Sequence, residues 1–561
     1  MRKSMSKIFF GLCAAGALAA GAAAPKPKAM IVMVDGLRAD AVENLPMANL
    51  LKLGEGRWRP GYRGAISLEG RNLDDARPSS AANHSAIATG VTAKKTGIYK
   101  NGDTKKGNFA EWPSWLCRLV DAKPGVKALY AYSWSGDVGL SPHPKVADMP
   151  ITSVVSNNWP MSGAYVANAL EMAKVMASPD APDAVLYFID IGDWGGHRSG
   201  FYPYGVEYEH NILTADRIIG DVMEAIASRP SFKDEVWLVM VTSDHGGYGR
   251  RHGIWGGHST TIPIVVAGRS IAQGRIPGTP RNYDLAPTAL AHFGLHISEM
   301  KLDGRPIAPA TVASPRRLDD GLAVYIPFDG KEPVNAVAGG PKPRARANAK
   351  SGAEGGLVGG CLRCGPASPA DGAESGVSID GSERLAFENG ADFAFTLWVR
   401  MERRQAMQAP IVSNKDWESG LNPGLVLIGA RKTDAVEKPG VCFNCGMASG
   451  EKRRLDLGTF DIDYGGWGFY AVVRRADGPL SVYQGNRDGH LYWISDDAGA
   501  IALKTGLPFW IGQDGTGRCK VSFEGAVDDF ALWTRSLSRD EVRRIYEAGR
   551  RGEPLSALIR N

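Results

Sequence analysis

Aspartate and histidine recur in this sequence directly after short apolar runs, and that placement points to chemistry. Met30–Val34 runs into Asp35-Gly36, and Val185–Ile189 into the stretch from Asp190 to His197. Val236–Val241 runs into Thr242-Ser243-Asp244-His245-Gly246-Gly247. A single aspartate at a strand end usually closes a turn or caps a helix. Three such ends, two of them carrying histidine, fit another purpose. Imidazole and carboxylate together suit a borderline divalent cation such as Zn²⁺. Asp193 and His197 stand four apart with glycines between them, so both can face one ion. Asp244 and His245 are adjacent, and adjacent side chains diverge. They need a special loop, which Gly246 and Gly247 permit.

A nucleophile is also in view. Ser80, in Ser79-Ser80-Ala81-Ala82-Asn83-His84, opens a predicted helix. A helix N-terminus favours an anion, and a neighbouring metal would lower the hydroxyl pKa. Ser80 taken alone fits a helix cap equally well.

The elements that must position these residues follow from hydrophobic period. With Ile262–Ala267, the three apolar runs read as buried strands. Between them lie amphipathic helices such as Ile212–Ile226, in which Ile212, Ala215, Ile219, Val222 and Ile226 recur at helical spacing. Strands alternating with helices predict an α/β domain whose mostly parallel sheet is covered on both faces. In open sheets of this kind, ligands bind beyond the carboxyl ends of the strands. Residues 321–550 differ: short strands such as Leu322–Ile326, Phe393–Arg400, Gly468–Val473 and Leu480–Tyr483 alternate with Gly- and Asp-rich turns. They predict an all-β antiparallel sandwich. Residues 25–308 form the predicted catalytic domain, 309–320 a linker, and Gly339–Gly360 an internal loop of the sandwich.

Residues 1–24 read as a signal peptide, with Arg2, Lys3 and Lys7 before an apolar Ala-rich stretch, so the expectation is export to the periplasm or medium. Those three cations account for most of the net charge of +5. The remainder is near neutral, with no basic run, which excludes an electrostatic nucleic-acid platform. Nothing beyond this segment is long and apolar enough to span a bilayer. Cys361-x-x-Cys364 and Cys442-x-x-Cys445 suggest disulfides in an exported chain, or alternatively a four-thiolate zinc site.

The motifs together resemble the alkaline-phosphatase superfamily, in particular its type I phosphodiesterase/nucleotide pyrophosphatase and alkaline-phosphatase branches. Ser80-Ala81-Ala82 resembles the alkaline-phosphatase nucleophile turn, and Asn83-His84 the Asn-His of the pyrophosphatases. Thr89-Gly90 closes the segment nine residues after Ser80, as in both branches, and selects Ser80 over Ser79 and Ser85. Asn282–Thr288 and Leu302-Asp303-Gly304-Arg305 resemble the closing segments. The resemblance implies two divalent ions, of the Zn²⁺ type. Asp35, Ser80, Asp244 and His245 would hold the ion that activates the nucleophile. Asp193 and His197 would hold the other, with a third histidine: His252 is preferred and His258 is the alternative. Asn83 would donate a hydrogen bond to the phosphate. The implied activity is phosphoric-ester hydrolysis, as a phosphodiesterase, nucleotide pyrophosphatase or phosphomonoesterase, through a Ser80 phosphoryl-enzyme. A sulfatase is the rival. Its family carries an arginine where His84 stands and lacks the Asp193–His197 pair. A non-catalytic surface-binding protein is the second rival, and the complete set of metal and nucleophile residues argues against it.

Residues 321–550 resemble concanavalin A/laminin-G-like sandwiches, most clearly in Phe523–Trp533 and Leu537–Val542. The resemblance implies a carbohydrate or cell-surface ligand. Asp528 or Asp529 is read either as a Ca²⁺ ligand or as a turn residue. Trp112, Trp115 and Trp134, within an insertion spanning Lys100–Asp148, either line the substrate pocket or fill core.

Overall fold

A computed structural model describes residues 25–559 apart from 151–161, 254, 312–315, 367–373, 381–384, 386, 404, 406–407, 420–422, 434–435, 457–462, 477 and 497–500. The expected signal segment therefore lies outside the described residues. Among the described residues no helix is long and apolar enough to cross a membrane.

The N-terminal half is built on eight strands: β1 (Lys26–Val34), β2 (Arg63–Arg71), β3 (Ala128–Tyr132), β4 (Val146–Pro150), β5 (Ala184–Ile189), β6 (Glu235–Thr242), β7 (Thr261–Gly268) and β8 (Gly274–Arg275). They lie in the order β4-β3-β5-β1-β6-β7-β2-β8. Five run parallel, and β7 turns the sheet antiparallel against β6 and β2. The continuous apolar runs follow from burial on both faces. Met30, Val32 and Val34 of β1 point into one core, and Ala29, Ile31 and Met33 into the other. Helix Val206–Ala227 covers the first face with the expected Ile212, Ala215, Ile219, Val222 and Ile226. Helix Ser80–Thr89 covers the second with Ala81, Ala82, Ala86, Ile87 and Ala88. Ser80 and the Asp193 segment are thus delivered from opposite faces to one edge of the sheet.

The C-terminal half is a sandwich of a seven-stranded and an eight-stranded antiparallel sheet. Three expectations change here. Gly339–Gly360 is not simply a loop: it contains strands Pro343–Ala345 and Ala349–Ala353, which join different sheets. Nor do the paired cysteines form a zinc site. Residues three apart on a strand face opposite ways, so Cys364 and Cys445 enter the central core while Cys361 and Cys442 enter two other apolar clusters. Cys117, Cys361, Cys364 and Cys519 are free thiols, so the disulfide expected of Cys361 and Cys364 is not formed either. Asp528 and Asp529, finally, are fastened inside the domain. Asp528 accepts the backbone N–H groups of Leu357, Val358 and Asp529. Asp529 accepts the Tyr325 hydroxyl and the Leu555 N–H. These bonds account for both acids without Ca²⁺.

The halves are in contact. Asn44 exchanges hydrogen bonds with the backbone of Leu491 at 2.9 and 3.1 Å, and Tyr204 stacks on His490 at 3.6 Å. Arg539 is buried beside Glu43 and Glu69 and over the Trp493 ring. The segment between them is anchored as well, Thr311 bridging to Arg275 and the Leu318 carbonyl accepting Trp533 Nε1.

Candidate active site and metal centre

Asp35 follows β1 directly and still bonds to β5, its N–H donating to the Ile189 carbonyl. The next two residues tie this loop to the one after β6: Gly36 N–H donates to Asp244 Oδ1 at 3.1 Å, and Leu37 N–H to Ser243 Oγ at 2.9 Å. Gly36 has φ +73°, and a Cβ there would meet the Asp193 Cα at 2.9 Å. Only glycine allows the loop after β1 to approach helix Ile191–Ser199 this closely. Gly246 and Gly247 serve the adjacent Asp244–His245 pair by close approach and not by a left-handed backbone. Side chains there would meet the His258 carbonyl and the Phe201 ring at 2.1 and 2.4 Å.

Asp193 and His197 lie one turn apart on helix Ile191–Ser199, with Nε2 3.3 Å from Asp193 Oδ2. His252 Nε2 stands 3.6 Å from Asp193 Oδ1. His258 packs at a tilt against Tyr248, ring centroids 4.8 Å apart, and, like His197, belongs to neither donor group, but it is His197 that pairs with Asp193. The potential ligand atoms form two groups, Asp35/Asp244/His245 and Asp193/His245/His252, each within 4.8 Å. Ser80 Oγ reaches the shared His245 Nε2 at 3.4 Å. Asp35, Ser80, Asp244 and His245 are buried, whereas the His197 side chain is 42% exposed, so the site opens to solvent on the Asp193 side.

The donor chemistry fits divalent cations. Asp35 Oδ1, Asp193 Oδ1 and Asp244 Oδ2 are buried oxygens that accept no hydrogen bond, each with a histidine Nε2 3.2–3.6 Å away. Such atoms are costly unless something positive meets them. Burial, with the charges of Asp244 and Asp193, pushes the Asp35 carboxyl well above the usual range. Burial also pushes the His245 imidazole down to about 4, so it is neutral at pH 7. Each of the three candidate ligand histidines turns Nδ1 to a main-chain carbonyl: His245 to Gly246 (2.8 Å), His197 to Arg250 (2.9 Å) and His252 to Pro78 (3.1 Å). Nδ1–H is then the donor, and the Nε2 lone pair is left for a metal.

The expectation for Asn83 changes. It is wholly buried, with Oδ1 accepting from Leu73 N–H and Asn282 Nδ2 and with Nδ2 donating to Ser79 O. The carboxamide is bound into the scaffold. A residue passed over in the sequence stands beside the nucleophile instead: exposed Asn101 accepts the Ala81 N–H through Oδ1 at 3.1 Å. No motif marks it, since it lies in a loop between Lys100 and Gly102. Trp115 is core, Trp112 lies under the Lys95 ammonium, and Trp134 packs edge-on to His84.

Comparison with known proteins agrees with this architecture. Residues 29–248 match the model of the type I phosphodiesterase/nucleotide pyrophosphatase family, and residues 371–543 that of the concanavalin A-like lectin/glucanase superfamily. The chain carries an alkaline-phosphatase-like domain of the first family followed by a concanavalin A-like domain of the second. A curated relative is GPI ethanolamine phosphate transferase 1 of Aspergillus fumigatus, 27% identical over 176 residues. That match covers 29% of this chain and only 16% of the relative's length. Among solved structures, a 2-O GAG sulfatase is 16% identical with a TM-score of 0.40, over 51% of this chain and 76% of that one. Murine ectonucleotide pyrophosphatase/phosphodiesterase 5, inactive and in complex with AMP, is 13% identical with a TM-score of 0.35, over 51% and 98%.

Proposed function

We propose that this protein is an exported phosphoric-ester hydrolase, a phosphodiesterase/nucleotide pyrophosphatase or phosphomonoesterase, acting through a Ser80 phosphoryl-enzyme. The supporting observation is the meeting of Ser80 with partnerless carboxylate oxygens and Nε2-directed histidines at one sheet edge. Asp35, Asp244, His245 and Ser80 would hold one divalent ion, and Asp193, His197 and His252 the other, with Zn²⁺ best suited to the donors. When bound, the pair supplies Lewis-acid stabilisation of the attacking and leaving oxygens and a lowered pKa at the Ser80 hydroxyl.

Ser80 Oγ bonds to phosphorus as the bond to the leaving alcohol breaks. Water then cleaves the Oγ–P bond and restores the serine. Asn101, held by the Ala81 N–H, directs its amide N–H at a non-bridging phosphate oxygen, where charge develops. Residues 1–24 direct export, and the sandwich binds a carbohydrate or surface ligand.

The test is hydrolysis of p-nitrophenyl phosphate, bis-p-nitrophenyl phosphate and p-nitrophenyl sulfate with added Zn²⁺. Turnover of either phosphate that disappears in Ser80→Ala supports the reading. Turnover of the sulfate alone, or none at all in protein carrying two metal ions, refutes it. N-terminal sequencing of secreted protein checks the export signal.

A further inference from the structure

A fourth histidine faces the metal-side carboxylates. His84 lies one turn after Ser80 on the same helix and is 1% exposed. Its Nε2 stands 3.4 Å from Asp35 Oδ2 and 3.3 Å from Asp244 Oδ2. Its Nδ1 differs from those of the three ligand histidines: it meets a carboxylate, Asp137 Oδ1, at 2.8 Å. Asp137 is equally buried and sits in the short 3₁₀ turn Ser135–Asp137 of the Lys100–Asp148 insertion. Rings of Phe188 and Trp134 flank the imidazole at 4.8 and 5.8 Å and close its sides to water.

We propose that Asp137 and His84 form a brace behind the nucleophile-side metal site, the His84 imidazole pairing by charge with the Asp35 and Asp244 carboxylates, without a hydrogen bond at Nε2, and Asp137 fixing His84. His84 is a positioning residue in this reading, acting through the two aspartates and not on the substrate. The geometry supports the assignment in three ways. Asp35 turns Oδ1 toward His245, at 3.5 Å, and Oδ2 toward His84, so one oxygen faces the ligand group while the other meets the brace. The two aspartates come from separate strand ends, β1 and β6, and His84 is placed to touch both. The brace also joins the nucleophile helix to the insertion, so Ser80 and its metal ligands are fixed through one side chain. Partners of this type around metal ligands typically change metal affinity by about 10- to 100-fold when removed.

The inference rests on the two-metal reading above, and its test separates the two. Zn²⁺ binding to the full chain is titrated against a chromophoric chelator in wild type, His84→Leu, His84→Gln, Asp137→Ala and Asp137→Asn, with thermal melting alongside. Fewer than two tight ions in wild type overturns the metal reading itself. With two ions in wild type, the brace predicts that His84→Leu and Asp137→Ala weaken one ion by about 10- to 100-fold and spare the other. His84→Gln and Asp137→Asn, which keep a donor or an acceptor, recover part of that loss while melting like wild type. Unchanged affinity at both sites, or equal loss at both, overturns the brace. Should His84→Leu fail to fold, the Asp137→Ala and Asp137→Asn pair decides by the same criterion.

Discussion

Both halves of this molecule bury aspartates, and their surroundings could hardly be more different. In the sandwich, Asp528 and Asp529 have every oxygen accepting a hydrogen bond from backbone or tyrosine. At the sheet edge of the α/β half, Asp35, Asp193 and Asp244 each keep a buried oxygen that accepts no hydrogen bond and meets only imidazole nitrogens at ion-pair distance. Burial alone therefore does not mark a candidate ligand; the unmet oxygen does. The same contrast separates the two asparagines near the nucleophile. Asn83 is bonded at both ends inside the scaffold, whereas Asn101 is anchored at one end and exposed.

Substitutions can break this comparison. The largest effect belongs to Ser80→Ala, expected to lower phosphate-ester turnover by at least about 10³-fold without lowering the melting temperature. Next is Asn101→Ala, expected to lower kcat by roughly 10²- to 10³-fold, as the loss of an oxyanion donor does. Asn83→Ala should instead act on folding, with melting lowered by several degrees. If Asn83→Ala lost turnover at full stability while Asn101→Ala did not, the assignment would reverse.

For the metal, His252→Ala should remove one ion from the protein, and His258→Ala neither, by elemental analysis after dialysis. Asp528→Asn sharpens the contrast between halves. It should leave metal content and turnover intact and destabilise by about 1–3 kcal/mol through its backbone N–H partners.

The last effect is one of pH. Burial lifts Asp529 to about 6 from an ordinary value of 3.8. Between these values the unfolded chain releases its proton while the folded chain keeps it. Stability is therefore greatest below about pH 4, falls as pH rises toward 6, and changes no further above it. Asp529→Asn should remove that component, read as the difference between the two melting-temperature profiles from pH 4 to 7.

Much of this was legible in the chain itself. A strand buried on both faces must be apolar throughout, so β1, β5, β6 and β7 announced themselves, as did the helix carrying Ile212–Ile226. The nine-residue interval from Ser80 to Thr89 is the helix itself, which ends at Gly90. Asp303, from the closing segment, caps the turn after it by accepting the Thr92 N–H. Strand ends bearing Asp and His marked the candidate ligand loops, because ligand types and short spacings are local properties.

What the sequence did not decide depends on where distant groups meet. Whether a carboxylate oxygen is matched by an N–H from another strand cannot be read from its neighbours, so Ca²⁺ at Asp528 and a phosphate contact at Asn83 were reasonable on sequence and are not the arrangement found. The thiolate-zinc reading of the cysteines failed for a related reason: strand alternation sends the members of each pair to different cores. His252 and His258 differ by six residues, and only the fold turns one toward Asp193 and the other toward Tyr248. Asn101 and the Asp137–His84 pair carry no motif, because their partners lie about twenty to over fifty residues away or on other strands. The sequence determined the elements and the donor types. The tertiary structure decided which donors remained without partners, since hydrogen-bond saturation is a property of the assembled fold.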